Sequence, residues 1–209
     1  ERRERRRRRR DAPGEQELER QAARALDVQL RGQLEQQRCE RRVADAVATP
    51  DIDYVFAPLK HARLDYVVQK AVELGVRRLR PVITQRTIAG RVNLERMKAN
   101  VIEAAEQCNL VFVPEVLEPA KLEQVLQAWD AGRALIYCDE AAAVANPIAA
   151  LREVRQPAAV LIGPEGGFTE DEKAHLKSLP FVTAISLGPR IMRADTAAVA
   201  ALTVVQACL

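Results

Sequence analysis

The sequence predicts an α/β fold on a mainly parallel sheet, and three observations predict it. From Pro50 onward, short apolar runs alternate with stretches of helical periodicity. Two glycine-bearing loops, Gly163–Gly167 and Leu187–Arg190, each follow an apolar run and precede a helix signal. The 209 residues are 48% hydrophobic but only 4% aromatic, enough for a sizeable core built from Leu, Val, Ile and Ala.

Residues 1–50 differ in kind. They hold 14 Arg and no Lys against 10 acidic residues, whereas the remainder holds 18 basic and 19 acidic residues, so the net charge of +3 comes from the start of the chain. Arg5 to Arg10 are consecutive, apolar residues are sparse, and Leu26, Leu30 and Leu34 recur at the spacing of a marginal helix. The expectation is an Arg-rich, low-complexity segment, disordered or with at most one helix around Arg20–Ala46, because so few apolar side chains cannot offset chain entropy. An Arg block would also attract phosphates, the alternative of an RNA-binding arm.

Beyond it, Asp53–Ala57 reads as a strand and Leu64–Leu74 as a helix stopped by Gly75. Arg78–Ile83 is the next strand. Asn93 can cap a helix to about Gln107, with Leu94, Met97, Val101, Ile102 and Ala105 on one side. Lys121–Ala128 is a short helix. Ala134–Cys138 and Ala158–Ile162 are strands of the buried type. Thr169 with Glu172 forms a capping box for a helix to about Leu179. Phe181–Ser186 is a strand, and Asp195 to Leu209 is a closing apolar helix. Repeated β-α units imply a parallel sheet covered by helices.

Several chemistries are excluded. Cys39, Cys108, Cys138 and Cys208 form no CxxC pair, so neither a zinc site nor a redox motif is expected, and a reduced, cytosolic setting fits. The charged start is no signal peptide, and no apolar run is long enough to span a membrane. There is no GxGxxG and no GxxxxGK[ST], so dinucleotide and P-loop readings fail on spacing. His61 and His175 lack partner sets and read as non-catalytic. On physics alone, the two glycine loops are as well explained as tight turns as they are as a ligand site.

The run Leu161-Ile162-Gly163-Pro164-Glu165-Gly166-Gly167-Phe168-Thr169, followed by Leu187-Gly188-Pro189-Arg190-Ile191-Met192-Arg193-Ala194-Asp195-Thr196-Ala197, resembles the RsmE family of 16S ribosomal RNA methyltransferases, of the SPOUT class. Lys70–Val76, Thr84–Thr87 and Glu103–Cys108 match in order, so the resemblance covers about residues 51–209. It implies a SPOUT domain with a carboxy-terminal trefoil knot. It implies a homodimer with the active site near its interface, for which the apolar last helix (Ala197, Ala198, Val199, Ala201, Leu202, Val205) is suited, although a plain core helix fits equally. It implies S-adenosylmethionine as methyl donor, no metal, and N3 of one uridine in 16S rRNA of the 30S subunit as acceptor. The donor would be held by Ile162, Gly163, Gly166, Gly167, Leu187, Gly188, Ile191 and Met192, with help from near Cys138–Glu140, and Gly166 would leave room for it.

The chemistry needs a cation beside the uracil anion, for which Arg193 is the candidate and Arg86 the next. It needs a proton acceptor, Asp195 or Glu106. Plainer roles stay open: Arg193 with Asp195 as a structural pair, Lys70 with Glu73 as a helical ion pair, Glu103, Glu106 and Gln107 as solvated groups, Arg86 as surface. The sequence also departs from the family. Residues 1–50 stand where a β-rich, PUA-like RNA-binding domain is usual, which points to a truncated start or an out-of-frame upstream reading. Asn109 is followed by Leu110 where Arg is common, Asp195 stands where Glu is usual, and the chain stops a few residues early at Leu209. These departures make a remnant that keeps the fold and donor binding, but little or no activity, the competing expectation. An unrelated α/β nucleotide-binding enzyme is disfavoured by the missing phosphate loops.

Overall fold

The computed structural model describes residues 24, 28–37, 50–88, 92–142 and 146–209. The chain divides into two compact units, Glu1–Val47 and Ala48–Leu209. In the first, residues 28–37 are helical, with Val28, Leu30 and Leu34 exposed. Arg24 is also helical; Leu26, Cys39 and the remaining residues of the helix expected over Arg20–Ala46 lie outside the described residues, as does the side chain of His61.

The second unit runs β1 (Ile52–Phe56), α1 (His61–Glu73), β2 (Arg78–Ile83), α2 (Leu94–Gln107), β3 (Glu115–Val116), β4 (Ala120–Lys121), α3 (Leu122–Gln127), β5 (Ala134–Cys138), α4 (Pro147–Leu151), β6 (Ala158–Ile162), α5 (Glu170–Ser178), β7 (Val182–Ile185) and α6 (Ala194–Cys208). The sheet is parallel throughout, in the order β3-β2-β1-β6-β5-β7, with β4 also on β2. The α/β fold with a mainly parallel sheet is thus the one expected from sequence. Alternation along the strands sorts the core into two layers. Ile52, Tyr54 and Phe56 of β1 face α1, α2, α4 and α6, while Val55 faces α3 and α5. Removing each such large side chain from water contributes about 1.5–3 kcal/mol.

Local signals explain most helix ends. Asn93 accepts from the Arg96 N–H at 3.0 Å, and Thr169 and Glu172 make both bonds of the capping box. At the end of α1, Gly75 donates to Val72 O and Val76 to Ala71 O, a Schellman closure. Asn109 does the same for α2 at φ 53°, so the departure at Asn109-Leu110 serves as a helix stop. Two expectations need correction. Helix α1 starts three residues before Leu64, since its N-cap Lys60 offers no capping side chain to read. Ile102 is 47% exposed: the buried stripe is Met97, Val101, Ala104 and Ala105, and Ile102 lies 100° around the helix from Val101. β3, β4 and α4 were not expected, being too short for periodicity. In α6, Ala198, Ala201, Leu202 and Val205 are buried in the protomer's own core, and Ala197 and Val199 are half-buried. No described helix is long and apolar enough to cross a membrane.

Candidate active site

A parallel sheet delivers the carboxyl ends of its strands to one edge, where ligands of such folds bind. Because β6 lies between β1 and β5, and β7 flanks β5, the loops after β5, β6 and β7 converge there. They enclose a cavity of about 630 Å³ lined by Tyr137–Glu140, Ile162–Phe168, Leu187, Gly188 and Arg190–Ala194, with Arg63, Lys173 and Ala197 at its sides. Ile162, Gly163, Gly166, Gly167, Leu187, Gly188, Ile191 and Met192 all face this one space.

The loop geometry explains its glycines unequally. A Cβ on Gly163 would stand 2.6 Å from Cε2 of Phe168, whose ring is buried edge-on against Tyr137 at 5.3 Å. Gly188 has φ 114°, a conformation side chains strain to adopt. A Cβ on Gly166 would rest against Cβ of Arg86 at an ordinary 3.6 Å, so no neighbouring protein atom requires a glycine there.

Arg193 sits at the N-cap of α6 and lines the cavity with its side chain exposed. Asp195 does not pair with it; Oδ2 of Asp195 lies 3.9 Å from Nε of Arg63, and Oδ1 accepts the Thr196 N–H at 2.9 Å. Asp195 and Glu106 do not line the cavity, and Glu106 is exposed in the last turn of α2. Arg86 does not line it either. Its Nη1 donates to Gly166 O at 3.1 Å and to Phe168 O at 3.4 Å, bracing the β6 loop from behind. Lys70 and Glu73 form the helical ion pair at 2.7 Å, and His175 is exposed.

The ionisable groups around the cavity are not equivalent. Burial pushes the Cys138 thiol up to about 12. Burial, then the charges of Asp139 and Glu140, also raise the Tyr137 hydroxyl. Burial opposes the charge of Asp139, but the ion pair with Lys177 at 2.7 Å, the Ala141 N–H and nearby Lys173 outweigh it, and the carboxyl sits below the ordinary aspartate range. Arg63, Glu165 and Lys173 were not singled out from sequence. Arg63 follows β1, and only the strand order, which puts β1 beside β6, brings it to the same loops.

A family model described as an RNA methyltransferase domain matches residues 47–206. The chain is 30% identical over 183 residues to a Rickettsia conorii protein named ribosomal RNA small subunit methyltransferase E, covering 87% of this chain and 70% of that one. With the Synechocystis protein of the same name it shares 31% over 157 residues, 72% of this chain and 51% of the relative. Among solved structures, ribosomal RNA small subunit methyltransferase E from Neisseria gonorrhoeae, bound to S-adenosyl methionine, is similar with a TM-score of 0.65 and 32% identity over 76% of this chain and 66% of that one. A putative methyltransferase from Legionella pneumophila in complex with SAM gives a TM-score of 0.66 at 32% identity, with the same coverage. The chain thus spans from about half to 70% of these relatives' lengths.

Proposed function

The chain belongs to the RNA methyltransferase family that includes ribosomal RNA small subunit methyltransferase E, and from that membership we propose that it transfers a methyl group from S-adenosylmethionine to N3 of a uridine in 16S rRNA of the 30S subunit. One observation carries the reading: the β6 and β7 loops, 20 or so residues apart in sequence, meet around one cavity of about 630 Å³ with Arg193 at its rim. The lining suits the donor. Backbone at Gly163–Gly167 and Leu187–Met192 is open to close approach, and the Tyr137–Phe168 pair makes an apolar wall. Bound there, S-adenosylmethionine would supply a methyl group activated on a sulfonium. The knotted path, the homodimer and the cytoplasmic setting of ribosome assembly belong to the same reading.

The protein's own residues would orient and polarise. The target base must leave its stack to present N3. Holding N3 in line with the methyl carbon supplies much of the rate. Arg193 stays charged at any relevant pH and offers planar donors to a uracil carbonyl as it gains negative charge. Its freedom from Asp195 leaves those donors available.

Calorimetry with S-adenosylmethionine, followed by transfer of labelled methyl to 30S subunits lacking the modification and nucleoside analysis of the product, tests the proposal. The expected result is donor binding and 3-methyluridine. Binding without transfer would identify the remnant that keeps only the fold and donor site. Absence of binding would overturn the reading.

A further inference from the structure

A second cavity of about 480 Å³ opens beside the first, lined by Lys60, Ala62, Arg63, Ile88 and Glu165. Arg63 and Glu165 line both cavities, so a molecule in each would meet its neighbour at these two side chains. The second cavity's lining includes Ile88, a large apolar side chain 61% exposed. Its loop is fastened to the β6 loop and to α5: besides the Arg86 bonds, the Gln85 N–H donates to Oε1 of Glu172 at 2.9 Å. The second cavity therefore keeps its register with the first.

We propose that this second cavity seats the acceptor uridine, extruded from its RNA, and that Glu165 takes the N3 proton. The inference rests on the methyltransferase reading above. An extruded base needs a surface for its flat face, which Ile88 and the Arg63 guanidinium plane offer. Its phosphate needs a cation, which Lys60 offers at the exposed side. Its imide N3–H needs an acceptor on the donor side, and Glu165 is there. The other candidates fail on position or chemistry. Cys138 and Tyr137 hold their protons too tightly, Asp139 is committed to Lys177, Glu140 lines only the first cavity, and Glu106 and Asp195 line neither. In the step, the N3 proton passes to the Glu165 carboxylate and the N3 electron pair forms the bond to the methyl carbon. The carbon–sulfur pair leaves with sulfur, so the sulfonium becomes a neutral thioether. Glu165 also selects the base: cytosine N3 carries a lone pair and no proton, and would face the carboxylate with repulsion.

Two measurements on the full chain test this. An oligoribonucleotide carrying one 4-thiouridine is photo-crosslinked and the adducts mapped by mass spectrometry. Adducts within Lys60–Arg63, at Ile88 or at Glu165, lost in Ile88→Asp with donor affinity unchanged, are expected; adducts elsewhere would overturn the seat. Methyl transfer by Glu165→Gln is then followed against pH. The loss should be ~100-fold or more near neutrality and shrink as rising pH lets hydroxide take the proton. A parent-like rate, or a deficit that does not vary with pH, would overturn the role of Glu165. Mapped adducts in a chain that binds no donor would uphold the seat and remove the methyltransferase reading instead.

Discussion

The two edges of the parallel sheet are both rich in charge, and they use it in opposite ways. At the amino edge, Arg133 is 8% exposed and donates to both carboxylate oxygens of Asp51 at 3.1 Å and to Ala158 O at 3.0 Å, with its Nε 3.5 Å from Asp53. Asp53, 1% exposed, also accepts from Arg78 at 2.8 Å. These charges close on one another and tie the starts of β1, β2, β5 and β6. At the carboxyl edge, Arg193 and Glu165 are exposed toward cavities. Paired, buried charge registers strands. Charge facing a cavity is available to a ligand. The comparison says which substitutions should unfold the protein and which should only disable it.

The largest effect belongs to the closed edge. Arg133→Ala leaves Asp53 buried with half its partners gone, and losing one member of such a pair costs about 3–5 kcal/mol. Urea denaturation should report that loss, while the fraction still folded binds donor as the parent does. A variant as stable as the parent would remove the distinction between the edges.

Arg193→Ala should show the reverse. Stability should hold within about 0.5 kcal/mol, as for an exposed side chain without structural partners. Donor affinity should be close to the parent's, and methyl transfer should fall ~100- to 1000-fold. Arg193→Lys should recover part, since a point charge lacks the planar fork. Parent-like transfer would make Arg193 structural.

Between these extremes lies Gly163→Ala. Its Cβ would meet the Phe168 ring at 2.6 Å, and the ring cannot turn away without leaving Tyr137. Overpacking of this kind costs about 1–3 kcal/mol. It should appear as weaker donor binding by calorimetry, with Gly166→Ala, which meets only ordinary contact at Arg86, as the milder control. Equal affinities for the two variants would mean the loop rearranges freely.

How much of this was legible in the sequence follows the range of each signal. Elements with caps or long apolar runs were readable: the bounds of β2, β5 and β6 coincide with those expected, and the capping box at Thr169 and Glu172 opens α5. The glycine loops could be placed after their strands, at the edge where they line one cavity. What sequence could not carry was lateral strand order, which adds no local pattern. That order brings Arg63 to the cavity, turns Asp195 toward Arg63 rather than Arg193, and puts Arg86 behind the β6 loop. Proximity in sequence suggested an Arg193–Asp195 pair, but residues two apart on a helix start point to different sides.

The last prediction concerns a closed pair on the open edge. Asp139 is 2% exposed, lies on the cavity wall, and has Oδ2 2.7 Å from Nζ of Lys177. If pairing, and not position on the sheet, decides whether a charge stabilises, then Lys177→Met should behave like a mild version of Arg133→Ala. Lys177 is 45% exposed, and Asp139 keeps the Ala141 N–H, so the loss should be only about 1–2 kcal/mol. Its pH dependence has a definite sign. The folded-state pKa of Asp139 lies below the ordinary value, so its contribution is present above the ordinary aspartate range and is lost as pH falls through that range toward the folded value. Removing Lys177 leaves burial less opposed and raises the folded pKa. Parent and variant should therefore differ most near neutrality and converge in acid. Urea denaturation of both proteins from neutral pH down to the acid limit of folding measures this. A difference that stays constant with pH would assign the loss to packing of the Lys177 stem, and the distinction between closed and open charge would then stop at the amino edge.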